Sequence, residues 1–181
     1  MKPPHTADKI NFMKTLVNTT ICYIEKDGCY LMIHRTKKDH DYNHDKWIGI
    51  GGKFENEESP HDCAVREVEE ETGLVLEPGK LDYCGIVTFV ALAQEGESYT
   101  EFMHVFKTTR FSGELKKDCD EGELEWVPIN KMYDLPHWKG DEIFLDFIKE
   151  GHPFFALKLI YKDNVLLETW LDGKPYNHFS V

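Results

Sequence analysis

Alternation of apolar and polar positions sets the outline of the chain. Thr15 to Glu25 (TLVNTTICYIE) and Cys29 to Arg35 (CYLMIHR) are rich in β-branched and aromatic residues and read as strands, joined by a turn at Lys26-Asp27-Gly28. Leu81 to Ala93 and Tyr99 to Phe111 repeat the pattern, with Gln94 to Ser98 as the turn between them. Leu124 to Pro128 reads as a short strand, and Phe154 to Tyr161 with Val165 to Leu171 as a hairpin around Lys162-Asp163-Asn164. Two stretches break the alternation. Ser59 to Gly73 carries helix punctuation at both ends: Ser59 as N-cap, Pro60 at the first helical position, Asp62 completing a capping box, and Gly73 as the stop. Asp141 to Lys149 puts Ile143, Phe144, Phe147 and Ile148 on one side of a second helix. Lys37 to Lys46 is a polar loop containing His40 and His44. Trp47 to Phe54 holds Gly49, Gly51 and Gly52 in an apolar setting, which fits a strand end or loop where backbone closely approaches a ligand or another chain segment. Strands flanking two helices predict an α/β domain with helices covering a sheet. Residues 1–14 read as an extension and 15–181 as the domain.

The length, 181 residues, suits one domain, and 41% hydrophobic with 30% charged residues is a globular balance. No apolar stretch is long enough to span a membrane, and Met1 to Asp8 lacks the apolar core of a signal peptide. The expected location is the cytoplasm. Cys22, Cys29, Cys63, Cys84 and Cys119 include no C-x-x-C pair, which argues against a zinc site or a disulfide framework. Cys22 and Cys84 lie in apolar runs and read as core; Cys119 lies in a polar stretch and reads as exposed. A net charge of -12 repels nucleic-acid polymers, yet a small polyanion can bind if divalent cations bridge it to carboxylates.

The first helix supplies such carboxylates. At about 100° per residue, Ala64, Val65, Val68 and Thr72 share one side, and Glu67, Glu70 and Glu71 share the adjacent one. Like charges so spaced cost a few tenths of a kcal/mol per pair, about as much as an opposite pair gains. A run of glutamates alone is most often solvated surface. Its hard oxygen donors also suit Mg²⁺ or Mn²⁺, and bound cations would relieve the repulsion.

The wider pattern decides between these readings. Gly52-Lys-Phe-Glu-Asn-Glu-Glu58-Ser-Pro-His-Asp-Cys-Ala-Val-Arg66-Glu67-Val68-Glu69-Glu70-Glu71-Thr72-Gly73-Leu74 resembles the Nudix box, G-x5-E-x7-R-E-U-x-E-E-x-G-U, where U is bulky and aliphatic. All specified positions match. The resemblance implies a Nudix fold, an α/β/α sandwich with a mixed central sheet, and metal-dependent hydrolysis of a nucleoside diphosphate linked to another group. It implies that Glu67 and Glu71 bind metal directly, that Glu70 does so directly or through water, and that Arg66 orients a box glutamate. Glu58 would support the loop. Gly49-Ile50-Gly51-Gly52-Lys53 is similar to the approach to the box in MutT-type enzymes that sanitise oxidised nucleotides. A carbonyl at Gly51 or Gly52 would then be a further metal ligand. Lys53 would meet phosphate, with Arg35 as a second substrate contact. The segment Asp120-Glu121-Gly-Glu123-Leu-Glu125-Trp126 is similar to the place where that subfamily carries another acid before an aromatic; Glu121 matches as ligand or water activator, with Asp120 and Glu123 competing.

The tail extends the likeness. Pro136-His137-Trp138-Lys139-Gly140-Asp141 is similar to the C-terminal part of oxidised-purine triphosphatases, where Trp138 would stack on the base and Asp141 would bond a purine edge. Phe89 and Met103 are further candidates for the base pocket, although strand residues of this type are more often core. One departure stands out: the mammalian enzyme carries Asn after the Trp of the approach segment, and here that position is Ile48, which cannot read a base edge. No proline stands near Thr88, as in ADP-ribose hydrolases, and no tyrosine near Val90, as in diadenosine polyphosphate hydrolases. The expected reaction turns a nucleoside triphosphate, an oxidised purine such as 8-oxo-dGTP, into monophosphate and pyrophosphate. The expected partner is that small nucleotide, with no nucleic-acid polymer and no membrane, in a monomer or homodimer. The box does not encode the leaving group, so nucleotide sugars and ADP-ribose stay open. A non-catalytic nucleotide sensor is the rival of another class, against which the complete box argues.

Overall fold

The computed structural model describes residues 16–37, 41–94 and 98–179. The expected extension over 1–14, His40 and the middle of the turn at 94–98 lie outside the described residues. Strands β1 (Leu16–Lys26) and β2 (Cys29–His34) form an antiparallel hairpin around Asp27 and Gly28, both at positive φ. A two-residue strand β3 (Trp47–Ile48) continues along the end of β2. Helix α1 (Pro60–Thr72) follows, then β4 (Val75–Leu76), β5 (Asp82–Leu92), β6 (Tyr99–Thr108) and β7 (Phe111–Ser112). After β8 (Glu123–Pro128) come helix α2 (Asp141–Glu150) and strands β9 (Phe155–Lys162), β10 (Val165–Leu171) and β11 (Lys174–Pro175).

Among the described residues, nine strands make one mixed sheet in the order β11-β10-β9-β5-β6-β1-β2-β3, with β8 also paired to β2. The β1–β6 and β5–β9 pairs are parallel. Strands β4 and β7 form a separate small pair.

The pleat of β1 divides the core. Ile21 and Tyr23 face the side covered by α2, where Ile143, Phe144, Leu145, Phe147 and Ile148 pack. Cys22 and Ile24 face the side covered by α1, against Ala64 and Val68. Each large apolar side chain buried this way contributes about 1.5–3 kcal/mol. The result is the expected α/β/α sandwich, with α1 and α2 on opposite faces. Among the described residues no helix is long and apolar enough to cross a membrane.

The expectations for one strand and for two cysteines are corrected. The strand expected from Tyr99 to Phe111 is interrupted: the Thr108 hydroxyl donates to the Lys80 carbonyl and accepts from the Arg110 N–H, turning the chain before β7. The glycine-bearing stretch after Ile48 is, as expected, a strand end that runs close to another chain segment, meeting β1 at isolated bridges from Ile50 to Cys22 and from Lys53 to Thr19. Cys119 is buried at 4% exposure, packed in the core on the α1 side, although its neighbours are polar. Cys84, expected in the core, is half-buried against it.

Candidate active site

Helix α1 is fixed at both ends by its own sequence. The Ser59 hydroxyl accepts from the Asp62 N–H, and the Asp62 carboxylate accepts from the Ser59 N–H. Gly73 takes a left-handed conformation, φ 77°, and its N–H donates to the Glu69 carbonyl. Of the four residues on the wheel's core side, Ala64, Val68 and Thr72 are buried and Val65 is half-buried; Cys63, which the wheel does not single out, is buried with them.

Arg66 is the hub of the acidic face. Its guanidinium forks onto Glu58, Nε to Oε1 at 2.6 Å and Nη2 to Oε2 at 3.0 Å. Its Nη1 donates to Glu67 at 2.9 Å and to Glu70 at 3.1 Å, and Nη2 also donates to the Lys53 carbonyl. Glu58 in turn accepts from the Glu55 N–H, which shapes the loop before the helix. The Arg66 guanidinium beside it holds the Glu58 carboxyl well below the usual carboxylate range, at about 2. Burial raises Glu67 above its ordinary value, and Glu70 and Glu58 push the same way against the lowering effect of Arg66.

The glycines of the approach are needed for space. A Cβ on Gly51 would meet the Thr20 carbonyl oxygen at 2.0 Å, and one on Gly52 would meet Glu67 Oε1 at 2.4 Å. The Gly51 N–H donates to Glu71 Oε2 at 3.2 Å, and the Gly52 carbonyl accepts from the Thr20 N–H at 2.9 Å. The loop backbone therefore lies against the carboxylates of α1.

Among the described residues no three acidic, histidine or cysteine side chains converge as a finished metal cage. Arg66 and the Gly51 N–H hold the carboxylates instead. The donor set still fits a hard divalent cation: three glutamates along one helix, with the Glu67 carboxylate occupying the space that the missing side chain of residue 52 leaves open.

Glu121 lies in the loop before β8, half-buried. It pairs with Arg35, which also holds Asp41 through Nε and Nη2, each at 2.6 Å. Asp120 and Glu123, its competitors, are exposed. Lys53 is exposed at the mouth of the loop.

The base-side candidates gather near the start of α2. Trp138 is 9% exposed and packs in the core. Its indole N–H donates to Asn43 at 2.8 Å, and its ring is stacked by Tyr42. Phe89 lies 6.4 Å from it, centroid to centroid, and Met103 packs against the same core. Asp141 is partly accessible, yet the surrounding protein is dense enough to push its carboxyl up to about 7, against the lowering effect of His137 and of a backbone hydrogen bond at Trp138. Ile48 is half-buried and packs against both cores. The roles of Tyr42, Asn43, Asp41 and Cys63 escape the sequence; the one available cue was that a buried indole N–H needs an acceptor.

Comparison with known proteins agrees with this picture. A profile described as NUDIX domain matches residues 14–147. The chain is 29% identical over 141 residues to an uncharacterized Nudix hydrolase of Bacillus subtilis, YvcI, covering 77% of this chain and 83% of that protein. It is 28% identical over 127 residues to the oxidized purine nucleoside triphosphate hydrolase of Danio rerio, covering 70% and 78%. A MutT protein of Bacillus halodurans superposes with a TM-score of 0.76 at 26% identity, over 88% of this chain and 99% of that one. Nudix enzymes act on small nucleotides and generally use divalent metal ions. By the match over residues 14–147 and the fold it shares with MutT, this chain belongs to the Nudix family and is a pyrophosphohydrolase.

Proposed function

We propose that the protein hydrolyses purine nucleoside triphosphates, oxidised ones such as 8-oxo-dGTP above all, to nucleoside monophosphate and pyrophosphate, clearing damaged nucleotides from the cytoplasm. The observation that carries this reading is the setting of Asp141. A carboxyl that keeps its proton to about pH 7 both donates and accepts hydrogen bonds, which suits a purine edge. Trp138 beside it supplies an aromatic surface. Ile48 offers no polar edge, so base reading falls to Asp141. The Danio rerio relative, by its name, acts on oxidised purine nucleoside triphosphates, which supports the same reading.

At the phosphate end, Glu67, Glu70, Glu71 and the Gly52 carbonyl would hold Mg²⁺ or Mn²⁺. Such an ion neutralises the polyphosphate and lowers the pKa of the attacking water. Arg66 keeps Glu67 and Glu70 aligned and holds the loop through Glu58 and Lys53. Glu70, with 61% of its side chain exposed, and Glu121 are the two carboxylates available to take the proton from water. Lys53 and Arg35 are the cations that would meet phosphate; Arg35 must then share its charge with Glu121 and Asp41.

The test is a panel of 8-oxo-dGTP, ordinary dNTPs, ADP-ribose and a nucleotide sugar, assayed with Mg²⁺ and with Mn²⁺. The expected outcome is the highest kcat/KM for the oxidised purine triphosphate, with pyrophosphate as product. Faster cleavage of ADP-ribose or the nucleotide sugar would overturn the substrate class. Binding of nucleotide without any phosphate or pyrophosphate release would point to a sensor.

A further inference from the structure

The surface of Trp138 that a base would need is already covered by the protein itself. The Tyr42 ring lies parallel to the indole, with centroids 4.8 Å apart and planes within 12°. A base sandwiched between two rings needs roughly 7 Å, twice a van der Waals contact. No base enters between these two as they stand. Elsewhere the indole is crowded by the edge of Tyr161 at 5.6 Å, by Phe89 at 6.4 Å and by the Lys46 ammonium at 5.3 Å from the ring centroid.

Of these neighbours, Tyr42 is the one built to leave. It is 51% exposed, whereas Tyr161 is 1% exposed and Phe89 sits in a central strand of the sheet. Its turn is anchored on both sides of it: Asp41 to Arg35, and Asn43 to the indole N–H. Rotation of the Tyr42 side chain therefore opens the indole without unravelling the turn.

We propose that Tyr42 is an internal stand-in for the nucleobase: it occupies the stacking surface of Trp138 in the free protein and is expelled when a purine binds. Tyr42 thereby sets nucleotide affinity, because each binding event exchanges one aromatic stack for another. The proposal rests on the reading that the base stacks on Trp138.

The experiment is calorimetric titration of the full-length protein with an α,β-imido purine deoxynucleoside triphosphate. Inorganic tripolyphosphate, which has no base, serves as the control ligand. Tyr42→Ala is expected to bind the nucleotide tighter by about two- to twelvefold, the worth of one aromatic pair. Its affinity for tripolyphosphate stays at the wild-type value, and Tyr42→Phe, which keeps the ring, binds the nucleotide like wild type. Trp138→Ala binds the nucleotide more weakly. If Trp138→Ala weakens binding and Tyr42→Ala weakens it or leaves it unchanged, the stand-in is overturned while the base platform survives. If Trp138→Ala leaves nucleotide binding unchanged, the platform reading fails and the stand-in falls with it.

Discussion

Replacing Asp141 with asparagine keeps the shape of the side chain and removes its titration. In the folded protein the crowding around Asp141 raises its pKa to about 7, while an aspartate in an unfolded chain titrates near a pKa of about 3.9. The folded state thus holds this proton more tightly than the unfolded state. The resulting stabilisation is fully present below about pH 4 and is lost as the pH rises through about 7. A separation of roughly three pH units, at about 1.36 kcal/mol each, sets an upper limit of about 4 kcal/mol, half of it gone by about pH 5.5. Solvent reaches the residue, and screening lowers the figure toward about 2 kcal/mol. The assay is urea unfolding of both proteins at intervals from pH 4.5 to 8. The free energy of wild type minus that of Asp141→Asn should fall from pH 4.5 to about pH 7 and level off above it, because only wild type must ionise a crowded carboxyl. Two curves that stay parallel within about 0.5 kcal/mol would refute the argument, since surface substitutions alone produce differences of that size.

Glu70→Gln and Glu71→Gln should each lower kcat by several orders of magnitude while circular dichroism and the unfolding midpoint stay near wild type; near-normal turnover in both would remove the box face from the chemistry. Gly52→Ala introduces a Cβ 2.4 Å from Glu67 Oε1 and must displace that carboxylate; weaker Mn²⁺ binding, read by electron paramagnetic resonance, is the expected result. Ser59→Ala removes the hydroxyl that accepts from the Asp62 N–H and donates to the Asp62 carboxylate and should cost about 1 kcal/mol in denaturant unfolding.

The parts of the fold that could be read from the sequence are those whose signals are local. The ends of α1 are written in Ser59, Pro60, Asp62 and Gly73, and the structure has the helix between them. Strand β10 runs from Val165 to Leu171 as its alternation predicts. A two-residue strand such as β4 shows no periodicity and stays invisible, and β7 merges with the strand expected from Tyr99 to Phe111. At the site, the acidic face follows from helical spacing, whereas the ties that shape it are long-range. Asn43 and Trp138 are 95 positions apart, and Lys37 bonds the carbonyl of Cys119 from 82 positions away. No propensity or spacing carries that information. Cys119 shows the same failure in reverse: polar neighbours suggest exposure, but the fold turns the residue inward to the core on the α1 side.

The two parallel pairings of the sheet govern when this site comes into being. Strand β1 pairs residue 16 with residue 100, and β5 pairs residue 85 with residue 155. Such contacts close long loops before any packing rewards them, which places folding on the slower side, in milliseconds to seconds. Helix α1 carries its own caps and forms from near neighbours. The Gly52 carbonyl is fixed by Thr20 of β1, and β1 is held in place by β6. On refolding, helical signal should therefore return before hydrolysis does, because the acidic helix precedes the backbone cradle that makes it a catalyst.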